Sequence, residues 1–382
     1  MRKVILYCHL YLGLIGAVFV VVLGLTGAAI AFEDRYDEWL HPTVWRVTPQ
    51  GERLKQQQLV ELIEQRFRPA RVEELRISSP ARAEVFTLRD HRVIFVNPYS
   101  GEVLEVRDHA LLSAQIVSKL HQLHVALAYG YTGRQLVDYV NIEVGFLLLT
   151  GLYLWWRKKR LRISWRKSWS RINWDLHNVI GIYVAAFGVL MVVTGFFIGF
   201  EKALYWVTRT APTRMMPTPH SVLPQSLQPD NAESSAIVNG TPKIADLDLV
   251  VQSADNALPG VPICEIDLPR TPRATYQIWK RSSSATSGST VYVDQYSGQV
   301  LRVDDARNFS NGFRLYEMNQ ALHAGRIFGL PTQIVMSCSS LLLAVLSITG
   351  VIMGWRKPLR TFRDLWRRCR TRLRALESTN SN

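Results

Sequence analysis

Four long apolar runs dominate this sequence and limit the folds that it can adopt. Each is near the ~20 residues that an α-helix needs to cross the hydrocarbon core of a bilayer. The runs cover residues 4–32, 134–156, 176–200 and 332–355. The first run is longer than the ~7 to 15 apolar residues of a signal peptide, so we expect a retained helix. The sequence therefore predicts a membrane protein with four transmembrane helices.

The basic residues are clustered beside these runs. The chain of 382 residues has a net charge of +14, which would suit a nucleic-acid-binding protein if the charge were evenly spread. Residues 157–171 carry eight Lys or Arg and no acidic residue, and residues 356–382 carry nine with two acidic residues. Together with Arg2 and Lys3, these clusters follow the positive-inside pattern of cytoplasmic loops. We therefore expect membrane lipid and no nucleic acid as a partner, with both termini in the cytoplasm.

The chain also contains an internal repeat. A shift of 168 residues places His9, Gly13, Thr26, Gly27 and Glu33 on His177, Gly181, Thr194, Gly195 and Glu201. A shift of 199 residues places His124, Gly130, Thr150 and Gly151 on His323, Gly329, Thr349 and Gly350. Four histidines therefore form two symmetric pairs.

The segments between the spans, residues 33–133 and 201–331, follow one order. Each has a helical stretch and then alternating runs joined by turn residues. The turn sequences "VNPYSGEVL" and "VDQYSGQVL" superpose at a shift of 197 residues. Residues 209–242 are rich in Pro, Ser and Asn and lack periodicity, which predicts a loop or linker. Each half of the chain is thus predicted to hold a span, a small helix-plus-hairpin domain and a second span.

These motifs resemble those of the PepSY-associated transmembrane family. The resemblance rests on the paired "YSGxVL" hairpins, on "LHQLH" and "TGLYLWWRKK" around the second span, and on the "H…G…TG…FE" spans. Within the family it is greatest to inner-membrane ferric-siderophore reductases, such as those acting on ferrioxamine. It implies a bacterial inner-membrane protein with two periplasmic α+β PepSY-like domains, which binds haem b and reduces siderophore-held iron in the periplasm. PepSY domains also occur in protease propeptides and sensors.

The resulting fold class is a membrane α-helical protein of four transmembrane helices in two repeats, with two periplasmic α+β domains. The predicted order is helix 1 at 1–32, domain 1 at 33–112, an interfacial segment and helix 2 at 113–156, a basic cytoplasmic loop at 157–175, helix 3 at 176–200, domain 2 at 201–312, an interfacial segment and helix 4 at 313–355, and a basic cytoplasmic tail at 356–382.

The paired histidines are the candidate haem ligands. A haem in a helical bundle takes one axial nitrogen from each side of the porphyrin, and neutral imidazole supplies it. His9 and His177 share a depth near the cytoplasmic face, and His124 and His323 share one near the periplasmic face, so two haems are predicted. No CxxCH motif is present, which predicts b-type haem. The alternative is that the histidines are interfacial and the glycines serve close helix packing.

Two further residues leave alternatives open. His121 has Gln320 as its counterpart, and it is either an alternative ligand to His124 or a hydrogen-bond partner. Glu143 lies about ten residues into the second run, where an ionisable group is costly. It is a candidate for proton handling or for tuning a haem, and the alternative is a buried carboxylate paired with a tyrosine or serine.

Reduction would release the iron, because hard hydroxamate oxygens hold Fe(II) far less tightly than Fe(III). The sequence has no GxGxxG motif, so we expect an external electron donor, either a quinol or a cytoplasmic reductase. The outer domains and the loops around Tyr129–Thr132 and Arg326–Leu330 are predicted to form a docking mouth, and the loop at 213–220 is predicted to touch the substrate. Arg134 and Arg326 would be available to propionates or acidic substrate groups, and the alternative is that they anchor the helices at the headgroups. The alternatives are a non-catalytic PepSY sensor and a haem b quinol oxidoreductase unrelated to siderophores.

Overall fold

The computed structural model describes residues 1–108, 112–157, 159, 161–209, 223–226, 237–238, 241–242, 244–282 and 287–355. Its helices are α1 (Arg2–Ile30), α2 (Glu33–Leu40), α3 (Pro42–Trp45), α4 (Gln56–Arg66), α5 (Leu112–Ala126), α6 (Gly130–Trp156), α7 (Trp169–Gly199), α8 (Glu201–Thr208), α9 (Leu247–Ala257), α10 (Asn311–His323) and α11 (Leu330–Gly354). Its strands are β1 (Val72–Arg76), β2 (Glu84–Leu88), β3 (Val93–Val96), β4 (Val103–Arg107), β5 (Ile237–Val238), β6 (Thr241–Pro242), β7 (Ile263–Asp267), β8 (Thr275–Lys280), β9 (Ser289–Asp294) and β10 (Val300–Asp304).

The chain divides into two compact units. One, the bundle, comprises Met1–Ala31, Ser118–Glu201 and the chain from Leu322 onward. The other, the sheet unit, comprises Phe32–Val117 and Lys202–Ala321. The predicted basic tail at 356–382, the loop at 213–220 and two histidines, His109 and His220, lie outside the described residues.

The bundle contains four helices that are long and apolar enough to cross a membrane, α1, α6, α7 and α11. The four predicted spans are therefore present, and the protein is a multi-pass membrane protein. Helix α7 begins at Trp169, earlier than the predicted start at residue 176. The additional turns are stabilised by buried Asp175, which accepts hydrogen bonds from the Ser164 amide at 3.0 Å and forms an ion pair with Arg171 at 3.2 Å.

Helices α1 and α7 each pack against both α6 and α11. Small residues allow the close approach of α1 and α11, where Gly24 lies against Ser340 and Ala344. The Ser340 hydroxyl donates to the Gly24 carbonyl at 3.0 Å, and the Asn141 amide donates to the Val192 carbonyl at 2.9 Å. These bonds occupy equivalent positions of the sequence repeat, so the α1–α11 and α7–α6 contacts are built alike.

The sheet unit contains one antiparallel sheet of eight strands in the order β10-β9-β8-β7-β1-β2-β3-β4. The two segments that the sequence presents as separate domains are joined here by pairing of β1 with β7, including Leu75 opposite Ile266. Each of these strands would otherwise be an edge with unpaired backbone groups. Residues of α4 and α9 share one apolar core with both halves of the sheet, including Ile63, Val250 and Phe86.

The repeated "YSG" sequence forms the same turn in both halves of the sheet. Gly101 and Gly298 adopt positive φ angles of 72° and 69°, a conformation that favours glycine. The Tyr99 and Tyr296 hydroxyls each donate to a backbone carbonyl, at 2.9 and 2.8 Å. The repeated turn residues therefore serve the sheet rather than a ligand.

Candidate functional site

The four repeated histidines come together in two ring pairs within the bundle. In the first pair, the ring centroids of His9 and His177 are 6.4 Å apart and the ring planes are inclined by 82°. In the second pair, the centroids of His124 and His323 are 6.5 Å apart and the planes are inclined by 47°. His121 is exposed and lies outside this pairing. The structure thus brings together the histidines that the repeat relates to each other.

The separation within each pair suits two imidazoles on opposite sides of one metal ion. An imidazole nitrogen lies about 2.0 Å from a bound metal, and the ring centroid lies roughly 1.1 Å behind that nitrogen. Two opposed ligands then have centroids about 6.2 Å apart. The observed 6.4 and 6.5 Å fit this arrangement.

Each histidine is held by a threonine of another helix. The bonds join Nδ1 of the histidine to Oγ1 of the threonine and are His9 to Thr150 at 2.9 Å, His177 to Thr349 at 3.0 Å, His124 to Thr26 at 3.1 Å and His323 to Thr194 at 2.9 Å. The backbone carbonyls of Leu346 and Leu23 add acceptors at 3.1 Å for His177 and His124. All four rings are therefore anchored through Nδ1.

These bonds determine the tautomer of each ring. The hydroxyl protons of Thr26 and Thr150 are already donated to carbonyls of their own helices, at 2.7 and 2.8 Å. Thr194 and Thr349 do the same at 2.7 and 2.8 Å. Because a hydroxyl has one proton, the threonine oxygen must accept from the histidine Nδ1–H. Nε2 then carries the free lone pair, which is the arrangement of a metal-ligating histidine with an outer hydrogen bond.

The glycine that follows each threonine makes space for the same histidine. A Cβ at Gly151 or Gly350 would lie 3.2 Å from Cε1 of His9 or His177. At the second pair, a Cβ at Gly27 would lie 2.8 Å from Cε1 of His124, and a Cβ at Gly195 would lie 3.4 Å from Cε1 of His323. Each Thr-Gly dipeptide is therefore a seat in which the hydroxyl orients an imidazole and the missing side chain leaves space for its edge.

The hydrogen bonds and the ring pairs connect the two halves of the bundle in different ways. Every Thr–His bond joins elements of one half, as in His9 with Thr150 and His177 with Thr349. Every ring pair joins one half to the other, as in His9 with His177. A metal ion held between the rings would therefore bridge the two repeats.

The two pairs lie at opposite ends of the bundle. On α1, His9 and Thr26 are separated by 17 residues, and on α7 the same number separates His177 from Thr194. At 1.5 Å per residue this places the levels of the two pairs about 25 Å apart along the helices. We call the end where α1 and α7 begin the basic end, since Arg2 and Lys3 lie there.

A large cavity surrounds the first pair. Its volume is about 1540 Å³, which exceeds the roughly 300 to 1,000 Å³ of ordinary ligand pockets. Its wall includes both histidines and the small residues Gly13 and Gly181, with Arg2 and Lys3 supplying positive charge. A haem requires space beside its ligands and cations near its two propionate groups. The cavity offers both.

The second pair lies on shorter helices that precede the spans. His124 is near the end of α5 and is followed by Leu127 and Ala128 with positive φ angles. His323 ends α10, and Gly325 and Gly329 with positive φ follow it before α11 begins. The second pair is thus presented by connectors, whereas the first pair lies within continuous spanning helices.

The segments predicted to form a docking mouth lie at these connectors. Tyr129, Tyr131 and Phe328 are strongly exposed there. The guanidinium of Arg134 donates to the Ile198 carbonyl at 3.2 Å, which ties α6 to the end of α7. Arg326 is exposed. Their role toward a substrate stays a prediction.

Glu143 lies against the backbone of α1. A Cβ at Gly16 would meet the Glu143 carboxyl, with Oε1 at 2.5 Å. Oε1 is buried and has no hydrogen-bond partner among the described residues. The predicted pairing with a tyrosine or serine hydroxyl is therefore not what positions this carboxyl.

The remaining candidates do not join the site. His41 lies between α2 and α3, and His91 occupies an exposed turn in the sheet unit. Cys8, Cys264 and Cys338 are free thiols. The sequence identified the Thr-Gly dipeptides only as part of the internal repeat. The feature that could have linked them to the site is that there is one dipeptide for each repeated histidine.

Comparison with known protein families gives a match that spans most of the chain. The model of the PepSY-associated transmembrane region matches residues 6–357, which covers all four spans and the sheet unit. No curated protein matches the chain.

Proposed function

This chain belongs to the PepSY-associated transmembrane family, and we propose that it is a haem-containing reductase of the bacterial inner membrane. In this proposal the protein passes electrons across the bilayer to ferric siderophores in the periplasm, and its paired histidines would hold two b-type haems that supply the redox centres. The iron leaves as Fe(II). Both termini and the basic clusters face the cytoplasm, as the positive-inside pattern favours.

One observation carries the proposal. All four repeated histidines have Nδ1 engaged by a threonine, and they meet as rings 6.4 and 6.5 Å apart. A set of unrelated interfacial histidines would have no reason to share one tautomer, one type of seat and one spacing. The residues therefore fit a pair of bis-histidine haems, with His9 and His177 as ligands of one and His124 and His323 as ligands of the other.

The haem supplies a centre that can gain and lose one electron without leaving the protein. The threonine hydrogen bonds would hold both imidazoles of a pair in place in either oxidation state of a bound haem. The threonine acceptors make the imidazoles stronger donors, because a hydrogen bond from Nδ1 raises the basicity of the ligating nitrogen. Arg2 and Lys3 are available to the propionates at the first pair.

The substrate reaction needs one electron for each iron. An external donor, either a quinol or a cytoplasmic reductase, gives up the electron, and the chelated Fe(III) accepts it. The resulting Fe(II) is a softer ion of lower charge, which hard oxygen ligands hold less tightly. The chelate is too large and polar to enter the bundle, so we place its approach at the second pair, beside Tyr129–Thr132 and Arg326–Leu330.

The first test of this proposal is the absorption spectrum of the protein purified from its membrane. We expect a Soret band, two haems per chain by pyridine haemochrome, and complete extraction of the pigment by acid acetone. A protein without pigment would favour the sensor alternative. Pigment that remained attached to the polypeptide would contradict b-type binding.

The second test concerns the substrate. The chemically reduced protein is mixed with ferrioxamine in a stopped-flow instrument, and reoxidation is followed at the Soret band. We expect the rate to rise with siderophore concentration and to fall in Arg326→Ala but not in the control Arg157→Ala, at the basic end. Full haem content with no reoxidation by the siderophore would instead favour a quinol oxidoreductase.

A further inference from the structure

Within the four runs at 4–32, 134–156, 176–200 and 332–355, the acidic and basic residues are Arg134, Asp138 and Glu143, and Glu143 lies farthest from the end of its run. Its Oε1 atom is buried and has no hydrogen-bond partner in the described part of the chain. An ionisable group inside the membrane is expensive, and such groups usually serve a proton or ion pathway. Glu143 therefore calls for a reason beyond packing.

The internal repeat indicates that packing does not require a carboxyl at this position. Glu143 corresponds to Leu342 at a shift of 199 residues, and Gly16 corresponds to Val184 at a shift of 168 residues. The second half of the chain thus has leucine and valine at the positions where the first half has glutamate and glycine. Leu342 is exposed and Val184 is buried, so the contact between Glu143 and Gly16 is a specific departure from the repeat.

The carboxyl lies between the two histidine pairs. Glu143 is seven residues before Thr150 on α6, and Gly16 is seven residues after His9 on α1, so both helices place it about 10 Å from the level of the first pair. Ten residues separate Gly16 from Thr26, which is about 15 Å to the level of the second pair. On α6, Glu143 lies two residues after Asn141, which is beside the second pair, because a Cβ at Gly195 would meet Asn141 Oδ1 at 3.0 Å and His323 Cε1 at 3.4 Å. A charge on Glu143 would therefore act on both pairs.

Few other groups could take this role. Helix α1 carries Tyr11 and His9 toward the basic end, and α7 carries His177 and an exposed Tyr183. On α6 itself, Tyr139 and Tyr153 are exposed and Asp138 lies five residues nearer the opposite end. No other carboxylate of these helices lies between the two pairs.

We propose that Glu143 is a proton-binding site that takes up one proton when a haem held by the histidine pairs would be reduced by one electron. This inference rests on the proposed function. The electron comes from the external donor, and the proton comes from water and converts the Glu143 carboxylate to the neutral acid. The proton would leave again when the electron passes to the substrate, so the charge of this low-dielectric region stays nearly constant.

The test is a redox titration of the haem-loaded protein at a series of pH values. We expect the haem midpoint potentials to fall as pH rises, each by at most about 59 mV per pH unit for one electron and one proton. Single-haem variants at His124 and His9 assign each potential to its pair.

Two variants and one control sharpen the test. Glu143→Gln keeps the shape of the side chain and should abolish the pH dependence. Gly16→Ala displaces the carboxyl without removing it, because the new Cβ would lie 2.5 Å from Oε1, and it should change the pH range of the effect. Asp138→Asn removes another acid of α6 and should leave the dependence intact.

A second readout does not depend on potentials. The infrared difference spectrum between oxidised and reduced protein should contain a carboxylic acid C=O band that Glu143→Gln removes. Haem potentials independent of pH in the wild type, or a pH dependence unchanged in Glu143→Gln, would overturn this inference. Absence of haem would instead contradict the proposed function, so the two failures are distinguishable.

Discussion

The two histidine pairs share one design but are built into different parts of the fold. Both use imidazoles held at Nδ1 by threonine, with ring centroids 6.4 and 6.5 Å apart. In the first pair the histidines lie within α1 and α7, which span the membrane, and a cavity of about 1540 Å³ surrounds them. In the second pair they lie on α5 and α10, which reach the spans through residues in left-handed conformation.

The comparison indicates that the Thr-Gly seats lie on the same kind of helix at both pairs, whereas the histidines lie on different kinds of helix. At the first pair the Thr-Gly seats are near the ends of α6 and α11, and at the second pair they are near the ends of α1 and α7. Every seat is thus on a spanning helix. The position of each histidine ring is thus set by a spanning helix even where the histidine belongs to a connector.

The largest expected effect comes from removing a ligand. His9→Ala and His177→Ala should each lose the first haem and keep the second, and His124→Ala and His323→Ala should do the reverse. The haem-to-protein ratio by pyridine haemochrome should fall from two to about one, since a single imidazole leaves an axial position open. His121→Ala, at an exposed position, is the control and should retain both haems. An unchanged ratio in all four variants would exclude these residues as ligands.

The pairing of these histidines could be predicted from sequence because it depends on one quantity, the depth of each residue along an apolar helix. The repeat fixes that depth. The Thr-Gly seats could not be predicted in the same way, because Thr150 meets His9 only once α6 packs beside α1 in one rotational setting. That setting depends on contacts between α1 and α6 such as Gly16 with Glu143, which hydrophobicity does not reveal.

The joined sheet was beyond prediction for a related physical reason. The alternation of residues in each segment indicates strands and their buried faces, and it says nothing about which edges meet. Pairing of β1 with β7 couples residues such as Leu75 and Ile266, nearly two hundred positions apart in the chain. Local pattern predicts a strand, whereas a long-range edge contact depends on the assembled fold.

The next effect comes from filling a seat. Gly27→Ala would place a Cβ 2.8 Å from Cε1 of His124 and 2.8 Å from Oγ of Ser340, so the ring must move. We expect most of the second haem to be lost while the first is retained, as measured by haem content. Gly188→Ala is the control, because Gly188 belongs to neither seat and its Cβ would meet only the side chains of Leu148 and Val184. Equal haem content in the two variants would show that the glycine seat has no role.

Removing a threonine hydroxyl should have a smaller effect. Thr150→Val keeps the shape of the side chain and removes the acceptor for His9 Nδ1. Outer hydrogen bonds of this kind typically change metal affinity by 10- to 100-fold. A tenfold loss that falls on the ferric state corresponds to a rise of about 59 mV in the midpoint potential of the first haem.

Thr150→Ser distinguishes this electronic role from packing, since serine keeps the hydroxyl and removes only the methyl group. We expect the midpoint potential of the serine variant to differ from that of the wild type by only a small fraction of the shift in the valine variant. If serine and valine variants shift the potential equally, the threonine acts through its shape and the tautomer argument fails.

The smallest expected effect needs no mutation and tests the one geometric property in which the two pairs differ directly. The imidazole planes are nearly perpendicular in the first pair, at 82°, and only half as inclined in the second, at 47°. Perpendicular axial imidazoles leave the two iron orbitals that interact with them nearly equal in energy, whereas a smaller angle separates them. The oxidised protein should therefore give two low-spin signals in electron paramagnetic resonance, with the larger maximum g value belonging to the first pair. His124→Ala should remove the less anisotropic signal and His9→Ala the more anisotropic one. The opposite assignment would mean that the ligand planes rotate when haem binds, and that the Thr-Gly seats fix the nitrogen but not the ring.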